Sequence, residues 1–310
     1  MPEAQSIILA PKTEHALFIT FRRRIGRRAS SHIKQTLADI PERTRKLAIS
    51  DPDSAFCSAI GFGLRVWPEF WENTQPRELR PFPAIPGAIH PAPTSEADLI
   101  LHLRANRYDF LHEFANQIVT EFAEWLEVVE SVHGFDFHEG RDLTGFMEGS
   151  GNPPDTEKAA VALVGDEDPE WAGGSYLHMQ RYVHHLEQWQ RLPVKQQETV
   201  IGRSKTDDVA LDPEDLAKTA HLARVNVQDH GHKLQILRQS MPYGAPGGEQ
   251  GTLFCCYCRT PVHFERMLTR MVAPTSDGRV DLLLNFTRAV TGAAFFVPDV
   301  KKLKELGKAK

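Results

Sequence analysis

Apolar positions along this chain alternate between a period of two and a period near 3.6, and the switch between them marks out the elements. Residues 16–22, Ala-Leu-Phe-Ile-Thr-Phe-Arg, are bulky and alternating and predict a strand. From Ser30 to Ile49 the residues Ile33, Leu37, Ile40 and Leu47 fall on one face of a helix, which Pro41 is expected to bend or split. A second strand is expected over Ala55–Gly63, then a short aromatic helix over Pro68–Glu72. A proline-rich irregular connection follows from Gln75 to Thr94. Ala97–Arg104 reads as a strand and Asp109–Leu126 as an amphipathic helix carrying Phe110, Phe114, Ile118, Phe122 and Trp125. Glu127–Phe137 closes the half as a fourth strand. The order β-α-β-β-α-β is the ferredoxin-like plan, an antiparallel sheet with two helices on one face.

The pattern loosely returns after residue 140. Strands are expected at Gly174–Arg181, Leu222–Gln228, Leu234–Arg238, Thr252–Cys258 and Ala293–Val297. Helices are expected at His184–Gln190, Val194–Ile201 and Pro261–Met271, with Lys301–Lys310 a solvated helix end. The chain therefore reads as α+β with two domains, 1–140 and 141–310, of similar element order.

Charge and composition narrow the function. A net charge of −5 gives no support to nucleic-acid or anionic-membrane binding, and the basic run Arg22–Arg28 reads as a solvated strand end. No run of about 18 apolar residues suggests a membrane span. The first residues show neither a secretory nor a twin-Arg signal, so a cytoplasmic location is expected. Cys255, Cys256 and Cys258 cluster, but a zinc site needs four ligands and no C-x-x-C or H-x-x-H partner is evident. Cys256 and Cys258 are expected to share one strand face as buried reduced thiols.

The chemistry concentrates in Arg141–Pro154, R-D-L-T-G-F-M-E-G-S-G-N-P-P, where three glycines surround one carboxylate, Glu148. Taken alone, such an acid is either a charged turn residue or a reactive group held over a ligand. With 14 histidines, the count selects no ligand. His221, placed before a predicted strand, could be a satisfied histidine or a ligand aimed into a cavity. Arg238, in L-R-Q-S-M-P-Y-G, could equally be an edge-strand arginine in a surface ion pair.

These stretches together resemble the dye-decolourising-type haem peroxidases. Gly145-Phe146-x-Glu148-Gly149-x-x-Asn152-Pro153 is similar to the family's distal-loop signature, except that the family carries Asp where this chain has Glu148. T-x-H-L-x-R-V is similar to its proximal-histidine segment, and V-T-G-A-A-F-F-V-P at 290–298 also resembles the family. The likeness runs from Gly63 to Pro298 and is nearest to the cytoplasmic, bacterial P-type (B) subfamily. It implies two ferredoxin-like domains with one haem b in the C-terminal one, and frequently a homo-oligomer. No C-x-x-C-H occurs, so that haem would be held non-covalently.

The resemblance makes His221 the axial iron ligand, with Asp281 accepting from its far nitrogen and Asn285 a weaker candidate. It makes Glu148 and Arg238 the catalytic distal groups and places Ser240 beside them. It associates Arg203 with the haem propionates. The activity implied is reduction of hydrogen peroxide, through a ferryl intermediate, at the expense of phenolic or dye-like one-electron donors. A haem carrier or iron-releasing protein using the same pocket is the alternative, and a scaffold without haem is a third reading.

Overall fold

In the computed structural model, which describes residues 2–308, the first half contains β1 (His15–Arg23), α1 (Ser31–Ser50), β2 (Cys57–Phe62), β3 (Leu99–Ala105), α2 (Tyr108–Phe122) and β4 (Leu126–Phe135). The second contains α3 (Lys158–Ala162), β5 (Ser175–His184), α4 (Leu186–Gln190), α5 (Val194–Ile201), α6 (His221–Val225), β6 (Gln228–Asp229), β7 (His232–Lys233), β8 (Leu237–Arg238), β9 (Met241–Gly244), β10 (Gln250–Cys258), α7 (Pro261–Val272), β11 (Thr287–Ala289), β12 (Ala293–Val297) and α8 (Val300–Glu305).

The first four strands run in the order β2-β3-β1-β4, all antiparallel, and the second half supplies β9-β10-β5-β12. Each order is consistent with the ferredoxin-like plan. The two sheets join at both edges, through Gly134 opposite Tyr243 and Phe296 opposite Phe62. Eight strands thus form a closed ring with no free edge among them.

Side chains that alternate along the strands fill two cores. Leu17, Ile19 and Phe21 of β1 face outward, under α1 and α2, while Ala16 and Phe18 face the ring interior with Ile100, Tyr257 and Phe295. The interior also buries polar groups in pairs. His102 Nδ1 lies 2.9 Å from the Tyr257 hydroxyl, and the Arg104 guanidinium bonds Gln239 and Thr13.

Several expectations need correction. Pro41 does not split its helix, because Ile33, Leu37, Ile40 and Thr44 are buried on one continuous face of α1. Leu222–Gln228 is not a strand. Its residues up to Val225 form α6, whose first turn closes with Arg224 N–H donating to Ala220 O at 3.0 Å, and only Gln228 enters a ladder. Only Leu237–Arg238 of the strand expected over 234–238 pairs with β10. β9 and β11, too short to show a period, were not expected. The end of the chain is not a purely solvated helix: Leu303 and Leu306 are buried in the core that includes α1, and residues 309–310 lie outside the described ones.

Candidate active site

The glycine-rich stretch leaves the first half and turns back on itself. Arg141 bridges Met147, and the Arg141 guanidinium donates to the carbonyls of Gly145, Lys205 and Thr206, which fastens the stretch to the loop after α5. Gly145 and Gly149 sit at φ +87° and +82°, backbone that other residues adopt at a cost. Gly151 is needed for a different reason. A Cβ there would lie 2.5 Å from Nη2 of Arg238, so any side chain would displace the guanidinium.

Asp142 pins the stretch from beneath. Its Oδ2 accepts from Thr144 N at 3.0 Å and Thr144 Oγ1 at 2.7 Å, while Oδ1 faces His184 Nε2 at 3.2 Å and the Thr252 hydroxyl. Burial alone would raise this carboxyl. The attraction of His184 and the hydrogen bonds from His184, Thr252 and Thr144 outweigh it and hold Asp142 well below the usual carboxylate range. Thr144 O in turn accepts from the buried Trp189 indole at 2.9 Å. The sequence reading did not single out Asp142, His184 or Trp189. The Asp-x-Thr spacing, a local side-chain-to-backbone motif, was the available signal for the first.

Asn152 fixes Arg238 to this stretch. Its Oδ1 accepts from Arg238 N at 2.8 Å and its Nδ2 donates to Arg238 O at 2.9 Å, a two-pronged clamp between a loop and a strand remote in sequence. The Arg238 side chain itself has no carboxylate partner among the described residues, and its Nε is buried without a hydrogen bond. A desolvated donor of this kind costs about 1–3 kcal/mol when unpaired, so the geometry calls for an acceptor that is not part of the chain.

Glu148 hangs from the same loop. Its backbone N–H donates to Gly140 O at 2.9 Å, and its carbonyl accepts from Lys12 Nζ at 2.7 Å. Burial pushes the Glu148 carboxyl above the usual range. Arg238 is the largest influence in the other direction, with smaller ones from Asp142 upward and from Lys12 and His221 downward. Arg238 and His221 are both near enough to influence Glu148, so the structure brings these three residues to one locality.

His221 opens α6. Its Nδ1 lies 2.7 Å from Oδ2 of Asp281, a fully buried carboxylate whose Oδ1 caps the turn beginning at Leu282 by accepting from Leu283 N at 2.9 Å. With Asp281 held at both oxygens, Nδ1 is the protonated nitrogen of His221. Nε2 then carries the free lone pair and has no protein partner among the described residues. Asn285 is exposed and takes no part.

Two other expected site residues are committed to protein contacts. Ser240 Oγ accepts from Cys255 N at 3.2 Å and so ties the turn after Arg238 to β10. Arg203 Nε donates to Asp208 at 2.6 Å within its own loop, leaving Nη1 without a protein partner among the described residues. Asp208 also lines a cleft of about 320 Å³ with His138, Glu139, Arg141, Met147, Thr206 and Asp207.

This constellation fits a haem: a neutral imidazole with one free nitrogen, oriented by a buried carboxylate, and an arginine with an unpaired buried donor. Comparisons with known proteins agree. Family models described as Dyp-type peroxidase, N-terminal and C-terminal, match residues 5–136 and 139–302. A dye-decolorizing peroxidase of Rhodococcus erythropolis is 38% identical over 300 residues, covering 96% of this chain and 87% of the relative. A Dyp-type structure from Shewanella oneidensis is 42% identical with a TM-score of 0.93, covering 98% of this chain and 99% of that one. A Rhodococcus jostii variant solved in complex with heme is 33% identical with a TM-score of 0.92, covering 98% and 100%. The chain belongs to the Dyp-type peroxidase family and is a haem peroxidase.

Proposed function

We propose that this protein reduces hydrogen peroxide and takes the electrons one at a time from small phenolic or dye-like donors, with one non-covalent haem b between His221 and the Arg238–Glu148 pair. The observations that carry this reading are an oriented imidazole with a free Nε2 and a guanidinium with a buried, unpaired Nε. The haem, when bound, supplies the redox chemistry. His221 would ligate its iron, and Asp281, by drawing on Nδ1–H, would make that ligand more electron-donating.

The chain's own residues handle charge and protons. The Arg238 guanidinium would stabilise the negative charge that develops on peroxide as the O–O bond separates. The Glu148 carboxylate would take the proton from one oxygen of hydrogen peroxide and return it to the other, directly or through one water. Asn152 and Gly151 set where the guanidinium can lie. Ser240 ties the segment after Arg238 to β10, and Nη1 of Arg203 would be free to meet a propionate.

The finer assignments belong to the same reading. They are two ferredoxin-like halves, 1–140 and 141–310, membership of the P-type subfamily, a cytoplasmic location, and Glu148 in the place of the family's Asp. Glu is one methylene longer, about 1.5 Å more reach. The longer acid would reach further from its loop or fold aside, and Arg238, clamped by Asn152, would be the principal group. The test is peroxide-dependent oxidation of a phenol by the haem-loaded protein, with Arg238→Leu alongside. Sustained turnover in the wild type that collapses in the variant is expected. Stoichiometric haem without turnover would support the carrier reading instead.

A further inference from the structure

The cluster Cys255-Cys256-Tyr257-Cys258 plays no part in peroxide chemistry, yet the fold gives two of its thiols a partner that sequence spacing did not reveal. β10 and β5 run antiparallel with Cys256 opposite His178 and Cys258 opposite Tyr176. Cys256 and Cys258, two residues apart, point to the same side of the sheet as His178. Their sulfurs and an imidazole nitrogen all lie within 4.8 Å of one another. Exposure is 2% for His178 and 0% for both cysteines. Cys255 points the other way, into the ring interior.

His178 is the unusual member. Its ring stacks on Phe264 of α7 at 4.4 Å, and its Nδ1 has only the Cys258 sulfur, 4.0 Å away, as a partner. Burial pushes this imidazole down to about 3, so it is neutral and can donate a lone pair. A buried imidazole with so weak a partner is costly unless something else engages it.

We propose that His178, Cys256 and Cys258 form a trigonal binding site for a soft monovalent metal ion, copper(I), on the α7-covered face of the sheet. The spacing suits it. Metal–sulfur bonds of about 2.3 Å and metal–nitrogen bonds of about 2.0 Å in a planar three-coordinate centre put the donors roughly 3.7–4.0 Å apart. That is within a small side-chain adjustment of the distances here. Coordination number selects the ion. Structural zinc takes four ligands, and the described residues offer no fourth donor in this set, whereas thiolate and imidazole donors are those that soft copper(I) prefers. Charge agrees as well. When the ion enters, one thiol proton leaves to solvent and its sulfur–hydrogen bond is replaced by a metal–sulfur bond, the second cysteine binds as a thiol through a sulfur lone pair, and a +1 ion with one thiolate leaves the dry core neutral.

The experiment uses the haem-loaded protein, produced in copper-supplemented medium, purified anaerobically under reducing conditions and dialysed against a weak copper(I) chelator. Copper is counted separately from iron by elemental analysis. One copper per chain is expected in the wild type and in Cys57→Ser, whose thiol lies elsewhere in the core, and almost none in Cys256→Ser or Cys258→Ser. X-ray absorption at the copper edge of the wild type should show two sulfurs and one nitrogen, a result that stands even if a variant fails to fold. Copper that is substoichiometric in the wild type, equal in the serine variants, or bound without sulfur would overturn the proposal. So would zinc retained in place of copper.

Discussion

Replacing Asp142 by alanine tests how the glycine stretch is held over the site. The substitution removes the acceptor for four donors at once: Thr144 N, Thr144 Oγ1, His184 Nε2 and Thr252 Oγ1. Leaving buried donors without their acceptor costs about 1–3 kcal/mol each, so about 3–5 kcal/mol in all once some of the four find other partners. At roughly 2–4 °C per kcal/mol for large domains, the melting temperature should fall by on the order of 10 °C. Asp142→Asn should cost less, about 1–3 kcal/mol, because His184 can change tautomer and accept from the new amide while Thr144 still donates to its oxygen. The pH dependence has a fixed sign. The folded carboxyl lies below its unfolded value of about 3.9, so its stabilisation is complete above that pH and is lost as pH falls below it. Thermal melts by circular dichroism should therefore show the same gap between wild type and Asp142→Ala at pH 7 and pH 5, narrowing below about pH 4. A gap of less than about 2 °C at pH 7, or one that widens in acid, would refute the assignment of Asp142 as the anchor.

Arg238→Leu should slow the first reaction with peroxide by a factor on the order of 10²–10³, the scale seen when one preorganised donor is lost. Glu148→Gln should cost less and remove any acidic limb in the rate, since the carboxylate, held above its usual range by burial, loses its basic form as pH falls. Glu148→Asp should be as fast or faster; stopped-flow spectroscopy across pH ranks all three, and a silent Arg238→Leu beside a dead Glu148→Gln would invert the ranking. Asn152→Ala frees the main chain at Arg238 and should lower the same rate by about 10–100-fold while leaving haem content unchanged, read from the Soret band. Asp281→Asn weakens the acceptor at Nδ1 of His221 and should raise the iron's reduction potential by tens of millivolts, about 60 mV per tenfold change for one electron, measured by spectroelectrochemistry.

The long periodic segments were legible because burial writes its period into them. The faces of α1 and α2 and the strands β1, β3, β5, β10 and β12 follow from alternation or 3.6-residue spacing alone. What the pattern could not carry was anything set by chain closure. Neither half's residues encode that Gly134 meets Tyr243 or Phe296 meets Phe62, and it is this that closes the ring. Short pieces failed for a related reason: the five residues of α6 are read equally well as a strand, and the backbone bonds from Arg224 to Ala220 and from Asn226 to Leu222 decide it. At the site, His221, Asp281, Glu148 and Arg238 were named through resemblance, and the structure adds the hydrogen bond, the orphaned donor and the shared locality. Asp142, His184 and the partnership of His178 with two cysteines depend on strand register across distant segments, which a single sequence does not display.

The central claim is that a haem is held by His221, and its most direct test is the haem content and absorption spectrum of His221→Ala, with His230→Ala and His232→Ala as exposed controls. His221→Ala should keep its far-ultraviolet circular dichroism but lose haem or shift its Soret and charge-transfer bands. Added imidazole should restore the wild-type spectrum, and both controls should be unaffected. A His221→Ala protein that retains stoichiometric haem with an unchanged spectrum would contradict it.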